Sequence, residues 1–526
     1  MAKICLCLTA KTIAADLELL ARNRRYVDIA ELRVDCLDPD ERFLLRHFPE
    51  QAGLPVILTV RREKDGGTFT EGEASRIRLL ARGLAFAEAD RRKNFAYVDL
   101  EEDLNVPSLE EAARTFGIRI IRSFHSFNGL EGDIPEKIRN LRRTGDEIAK
   151  IAVLARGSAD ALAMVRAAGK VRDADKIFLC MGHYGVFTRI LTEKLGSQIS
   201  YTSAEGELLA APGQLCPRDL VELYRFHSIG PETQVFGVIG HPLKVTNSPQ
   251  FFNTVFALET TNAVYVPFPT DSLRDFMALA DELDLTGISV TVPYKEAILD
   301  YLGSMSEDVE WIEACNTINR GPQGWRGTNT DMRGFSDSLL AFMSTISAHK
   351  QTGEEDEPWK IKLPQLRKPA DISNLKGKKV TVIGAGGGAR AVVAELYRLG
   401  AHTLILNRTL IKARNLAAPY KFRWGGLDER GVEQMEHFSD IIIQTTPAGM
   451  EGNPDRDPLE LYSFSGKEIV MDLVYKPDRT PFLQRAAAAS CPVLNGYDMF
   501  IRQARYQYVQ FFKRDFPPAL LARVNI

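Results

Sequence analysis

Residues 210–242 read AAPGQLCPRDLVELYRFHSIGPETQVFGVIGHP, and the fold turns on how this run divides. LCPRDLVELYRF has helical spacing: Pro217 suits a first turn, where its missing N–H is not needed, and Leu220, Leu223 and Phe226 recur on one face. HSIGPET, with Gly230 and Pro231, breaks the pattern, and VFGVIG is a fresh β-rich apolar run. The periodicities on the two sides of this seam differ. Two machines sit on one string.

Composition bounds what those machines are. At 526 residues the chain exceeds one hydrophobic core, so two to four domains are expected. Apolar content of 45% and charged content of 26% are ordinary for a soluble protein. A formal charge of -3 excludes strong nonspecific affinity for nucleic acid, so any positive pocket is local. The seven cysteines include no CxxC pair, which points to reduced, mostly buried thiols, no disulfide framework and no zinc or other metal site. The apolar run before Lys11 and Asp16 is too short for a secretion signal, and none approaches the ~18 residues of a membrane span. The expectation is a cytoplasmic protein with neither nucleic acid nor membrane among its partners.

Working back from the seam, eight β-rich runs alternate with helical stretches: KICLCLTA, YVDIAELRVD, PVILTVR, FAYVDLE, IRIIRSFHS, EIAKIAVLA, KIFLCMG and ISYTSA. Their number and size predict a (β/α)8 TIM barrel over 1–227. Strand after strand ends in a functional group (Glu31 and Arg33, Arg61, Glu101, His125), on the C-terminal rim where barrel enzymes build their sites. Lys150 lies mid-strand among Ile148, Ala149, Ile151 and Ala152. Buried there, and near arginines, it is expected to shed its charge and become a nucleophile. The blander alternatives are an edge-strand lysine facing water, a core histidine, and an ELRVD ion-pair network with only a structural role.

ELRVD, LTVR followed by KDGG, SFHSF, AKIAVL and AAPGQ, in this order, resemble the motifs of type I 3-dehydroquinate dehydratases. The resemblance implies that Lys150 forms a Schiff base with a ketone substrate and that His125 shuttles protons. It also implies that Glu31, Arg33 and Arg61 hold ring hydroxyls and that Arg189 and Gln214 bind a carboxylate. Asp65 stands in the place of the glutamate that orients the catalytic histidine, one methylene shorter. Ala210 stands where a serine is usual.

Forward from the seam, QVFGVIGHPLKVTNSPQFFNTVF reads as strand, loop and a helix starting at Ser248-Pro249; NAVYVPFP and LTGISVTVPYKEAI supply further strands. KKVTVIGAGGGARAVVAELYRLGAHTLILNRTLIKA carries the dinucleotide signal. A strand ends at Ile383, Gly384, Gly386, Gly387, Gly388 and Ala389 make the turn and open a helix, and a second strand ends at Leu406. Where an NAD site would offer Asp or Glu, Asn407, Arg408, Thr409 and nearby Lys412 suit a 2′-phosphate, so NADP is the expected cofactor.

VTVPYK, NTD, TTPAGM and DLVYKP resemble the motifs of shikimate dehydrogenases. The resemblance implies Lys295 and Asp331 as the catalytic pair, with Ser248, Thr291, Asn316 and Asn329 on ring hydroxyls and Thr246 in a place usually held by serine. It puts Tyr475 between nicotinamide and substrate, and Gln503 on a closing helix whose Met499, Gln503 and Tyr506 share a face. The expected domains are thus the barrel (1–227), a substrate domain (233–340, completed by 496–526), an inserted polar linker (341–375) and a Rossmann domain (376–495). The function implied is Schiff-base dehydration of 3-dehydroquinate followed by NADPH-dependent reduction to shikimate. Its rivals are a non-catalytic sensor, which would not need Lys150, His125, Lys295 and Asp331, and an enzyme with one inactive half.

Overall fold

Short apolar runs rich in Ile, Val and Leu become strands buried on both faces, and amphipathic runs between them become covering helices. A computed structural model describes the chain except residues 86–89, 131, 172–174, 207–210, 244–245, 353–373, 452, 454 and 524–526, and except the side chains of 348–352 and 521–523. Ala210 and most of the expected linker therefore lie outside the described residues. The chain divides into two units, Met1–Leu285 and Thr286–Ile526.

The first unit opens with strands β1 (Lys3–Leu8), β2 (Ile29–Arg33), β3 (Val56–Thr59), β4 (Tyr97–Glu101), β5 (Arg119–Ser126), β6 (Ile148–Leu154), β7 (Lys176–Met181) and β8 (Ile199–Thr202). They form one parallel sheet in the order 7-6-5-4-3-2-1-8. Between β8 and β7 it closes through the Gln198 N–H donating to the Lys176 carbonyl at 3.0 Å. Cys5, Ile29, Ile57, Ile121, Ile148 and Ile177 fill the interior. This is the expected (β/α)8 barrel, with a plugged core that leaves the C-terminal rim for chemistry. The seam helix is shorter than the sequence suggests: it spans Pro217–Glu222, and Arg225 then takes a left-handed φ of 54°.

The same unit continues into β9 (Gln234–Gly240) and the parallel β10 (Ala263–Pro269), with helices Ser248–Leu258 and Leu273–Glu282. These residues pack on the barrel. The Ser158 N–H at the start of the helix Ser158–Gly169 donates to Asp271 Oδ1 at 2.8 Å, and the Ser158 and Thr270 hydroxyls hydrogen-bond. Arg166 pairs with Glu282 at 2.7 Å, and the rings of Phe187 and Phe268 lie 5.2 Å apart. This buried seam explains why the division between units falls at 285/286, inside the expected 233–340 segment.

The second unit holds all of β11 (Leu285–Val290) but its first residue, the short β12 (Ser304–Met305), β13 (Thr317–Gly321) and β14 (Gly324–Thr328), in which β13 runs antiparallel to both β11 and β14. Beyond them, β15 (Lys379–Ile383), β16 (His402–Leu406), β17 (Arg423–Gly425), β18 (Ile441–Gln444), β19 (Ile469–Asp472) and β20 (Val493–Leu494) form a parallel sheet. Its order is 17-16-15-18-19-20, the 3-2-1-4-5-6 arrangement of a dinucleotide-binding fold. The linker expectation needs correction at its start. The helix Asp331–Thr352 runs through 341–352, because Phe342, Met343 and Ile346 continue the buried face begun at Phe335 and Leu339.

Candidate functional site

Two constellations emerge, one at the barrel rim and one in the second unit. In the barrel, Glu31, Arg33, Arg61, Asp65, His125, Lys150, Arg189 and Gln214 all line one cavity. Parallel register explains the convergence. Cys7 stands beside Glu31, Arg33 beside Thr59, and Ser123 beside Lys150, so inward side chains of neighbouring strands share a level.

At the centre lies Asp99, which no sequence motif singled out. Its carboxylate is 2.9 Å from Lys150 Nζ and 2.7 Å from Arg61 Nη2, and it accepts from the Ser123 hydroxyl. Burial pushes its carboxyl up, but Arg61 and Lys150 more than offset that and hold it well below the usual range. Lys150 is buried as expected, yet it is one side of a salt bridge, with Glu31 as a second carboxylate at 3.8 Å. Burial and arginines alone do not describe its surroundings.

The ELRVD carboxylates do form an ion-pair network. Asp35 takes Arg33 in a two-point fork at 2.9 and 2.8 Å and also accepts from the Arg61 and Thr68 N–H groups. Glu101 ties Arg61 to the fully buried Arg76. The arginines are thus held rigidly while still lining the cavity.

His125 and Asp65 do not meet as expected. Asp65 pairs with Arg62 at 2.6 Å, and the buried His125 Nδ1 has no hydrogen-bond partner among the described residues. The shorter side chain and a cation three residues away account for the difference. Burial, then the positive charges of Arg61 and Lys150, hold the His125 imidazole neutral, well below its usual range.

Arg189 is 1% exposed and has no carboxylate partner among the described residues. Its Nη1 and Nη2 donate to the carbonyls of Tyr201 and Pro212, its Nε is unpartnered, and burial pulls it down to about 10. A buried guanidinium facing a cavity without a counter-charge is a place for an anion. Gln214 beside it accepts from the Ala211 N–H at 3.0 Å and reaches Cys7 Sγ at 3.4 Å.

In the second unit Lys295 Nζ lies 2.6 Å from Asp331 Oδ2. Asn316 Nδ2 donates to Asp331 Oδ1 at 2.8 Å, and the Asp331 N–H donates to Asn329 Oδ1 at 3.0 Å. Asn329 Nδ2 in turn donates to the Ala314 carbonyl. Both amides therefore hold the turn that carries Asp331. Gln503 accepts from the Thr330 hydroxyl at 3.3 Å. Its neighbour Gln507, one turn on in the helix Tyr497–Phe512, went unassigned in the sequence. It is buried, accepting from Ser289 and donating to the Asn316 carbonyl and Thr317 hydroxyl. Spacing of four from Gln503 was the available signal. The Tyr475 ring stacks on Phe500 at 5.2 Å, and Thr291 is half-buried. In the first unit Thr246 Oγ1 and Ser248 Oγ are 3.1 Å apart.

The glycine turn fits a dinucleotide. Gly384 has a φ of 112°, and a Cβ there would stand 2.5 Å from Thr445 Oγ1. At Gly386, just before the helix Gly387–Arg398, a Cβ would meet open space, so the first helical amides are approachable. Past β16, Asn407 Nδ2 braces the Thr409 carbonyl at 3.0 Å. Arg408 and Lys412 are exposed, without a carboxylate partner among the described residues. That donor set suits a ribose 2′-phosphate and lacks the carboxylate that would grip a free 2′-hydroxyl.

Comparison with known proteins agrees with this geometry. Residues 4–231 match the type I 3-dehydroquinase family, residues 238–318 the shikimate dehydrogenase substrate binding domain and residues 367–450 the shikimate / quinate 5-dehydrogenase family. The chain is 29% identical over 489 residues to the bifunctional 3-dehydroquinate dehydratase/shikimate dehydrogenase, chloroplastic, of Arabidopsis thaliana, covering 92% of this chain and 77% of that one. It is 26% identical over 514 residues to the shikimate biosynthesis protein AroDE of Chlamydia pneumoniae, covering 97% and 95%. With the shikimate dehydrogenase (NADP(+)) of Caldanaerobacter subterraneus subsp. tengcongensis it shares 33% identity over 301 residues, covering 55% of this chain and 96% of the relative. By barrel, glycine turn and these matches alike, the chain belongs to the type I 3-dehydroquinase family in its first half and to the shikimate dehydrogenase family in its second, fused in one polypeptide.

Proposed function

We propose that this chain dehydrates 3-dehydroquinate to 3-dehydroshikimate in the barrel and reduces that product to shikimate with NADPH in the second half. The observation that carries the first step is the pairing of a buried amine, Lys150, with an uncompensated buried cation, Arg189, in one cavity. A ketone bearing a carboxylate meets both. Arg189 and Gln214 take the carboxylate, while Glu31, Arg33 and Arg61 take ring hydroxyls. Lys150 condenses with the ketone, expelling water, and the resulting iminium draws the electrons of the adjacent C–H bond. Neutral His125 takes that proton and returns it to the departing hydroxyl, which leaves as water. Hydrolysis of the imine frees Lys150. Asp65 lines the cavity beside these groups, paired with Arg62.

The turn from Gly384 to Ala389 would hold NADPH, with Asn407, Arg408, Thr409 and Lys412 placed to receive its 2′-phosphate, and the bound cofactor would supply the hydride. Lys295 hands a proton to the ketone oxygen, and Asp331 holds the lysine in place. Asn316 and Asn329 keep Asp331 in register. Thr246, Ser248, Thr291, Tyr475 and Gln503 are the substrate contacts of this half.

We assign the barrel to 1–227, the substrate domain to 233–340 with 496–526, and the Rossmann domain to 376–495; the helix to Thr352 leaves the linker a later start than 341. The cytoplasm is the compartment that seven free cysteines support, and no helix among the described residues is long and apolar enough to cross a membrane.

The test is a coupled assay from 3-dehydroquinate. NADPH oxidation should proceed and NADH oxidation should be at least tenfold slower. Borohydride added with substrate should attach its mass to Lys150. Absence of both product and adduct would overturn the first half, and equal use of NADH would overturn the cofactor assignment.

A further inference from the structure

Tyr201, on β8, is 3% exposed and lines the barrel cavity with Lys150 and Glu31. Its hydroxyl has no hydrogen-bond partner among the described residues. A buried phenol without a partner is costly, and phenylalanine would fill the same space at no such cost. The ring cannot turn away freely, because the Lys150 amine sits over its face at 4.1 Å from the centroid. Burial first, and then the negative charge of Glu31, keep the phenol protonated, so the group is a donor. Glu31, meanwhile, is an acceptor braced from behind by Thr59 at 2.9 Å and Cys7 at 3.1 Å. A donor and an acceptor facing one cavity are the complement of an alcohol, which gives one hydrogen bond and receives another.

We propose that the Tyr201 hydroxyl is a further substrate-binding group, donating a hydrogen bond to the same ring hydroxyl whose proton Glu31 accepts. The assignment rests on the dehydratase function proposed above.

The experiment compares the full-length wild type with Tyr201→Phe, on 3-dehydroquinate and on an analogue lacking the ring hydroxyl that faces Glu31. The variant should lose about tenfold in dehydratase kcat/KM, mostly through KM, and lose nothing on the deoxy analogue. The ligand-free unfolding midpoint should hold or rise, since an orphaned polar group has been removed. Reduction in the second half should be unchanged. An equal loss on both substrates, no loss on either, or a fall in midpoint matching the fall in activity would overturn the proposal. Should the wild type not dehydrate 3-dehydroquinate at all, the functional assignment falls first. Calorimetric binding of the same two compounds to the same two proteins then decides, with equal affinities for wild type and variant counting against the hydrogen bond.

Discussion

Asp99 neutralises two cations at once, and removing its charge should tell on both folding and chemistry. Asp99→Asn leaves Arg61 and Lys150 buried with less compensation, which costs about 3–5 kcal/mol in comparable buried pairs. Urea denaturation should show a loss of that size, with dehydratase kcat falling and the second half's reduction intact up to the unfolding transition. His125 makes a prediction in pH. Its folded value lies well below the ordinary 6.5, so the unfolded chain binds the proton first as pH falls. The stability tied to neutral His125 is full above 6.5 and declines below it, while the imidazole itself stays neutral. The acid limb of dehydratase kcat/KM should accordingly lie below pH 6.5, and a limb at or above that value would contradict a neutral base. The motif residues of the barrel were legible from sequence: all eight assigned from the resemblance line the cavity, whereas Glu101, picked out by its strand end alone, does not line it. Asp99 was not, because Asp99 and Glu101 alternate onto one face and the rim rule selects the outer of the two. Which partner Asp65 takes depends on a side-chain length competing with Arg62, and no spacing rule encodes that.

Elements place these residues, and the glycine turn shows how tightly. A Cβ at Gly387 would stand 3.1 Å from Lys295 Cβ, at the anchored rather than the free end of the lysine. Gly387→Ala should shift Lys295 by a few tenths of an ångström and lower shikimate dehydrogenase kcat by about tenfold, with barrel dehydration as the unaffected control in the same sample. The end of β19 makes a second prediction. Burial pushes the Asp472 carboxyl up to about 7, while Thr480 Oγ1 at 2.7 Å and the Val474 N–H at 2.9 Å pull it back. Because the folded value exceeds the ordinary 3.8, stability from the protonated form is present below 3.8 and lost as pH rises towards 7. Asp472→Asn should flatten unfolding free energy against pH over that window; an unchanged slope would show that Asp472 ionises normally. At this scale the dinucleotide turn was readable because strand, glycines, helix and second strand succeed one another in chain order. The full length of the helix Asp331–Thr352 is not legible in the sequence, because its polar face joins a charged run, which hides Phe342, Met343 and Ile346 on the other side.

For the molecule as a whole, the seam near 227–233 marks a change of periodicity but not a mechanical boundary within the first unit. Linker residues are visible in a sequence; the packing of later elements back onto earlier ones is not. Lys150 lies on β6, the next helix begins at Ser158, and that helix's first N–H is capped by Asp271, from beyond the seam. Losing such a cap costs about 1 kcal/mol. Phe187, 1% exposed against Phe268, would also be uncovered, at about 1.5–3 kcal/mol. A fragment ending at residue 232 forfeits both, so its dehydratase thermal-inactivation midpoint should lie about 5–10 °C below that of the full chain. A fragment ending at residue 285, where the first unit closes, restores Asp271 and Phe268 and should recover most of the difference. If the two fragments inactivate together, the barrel's stability owes nothing to the residues beyond the seam, and its fusion to them is a matter of connectivity alone.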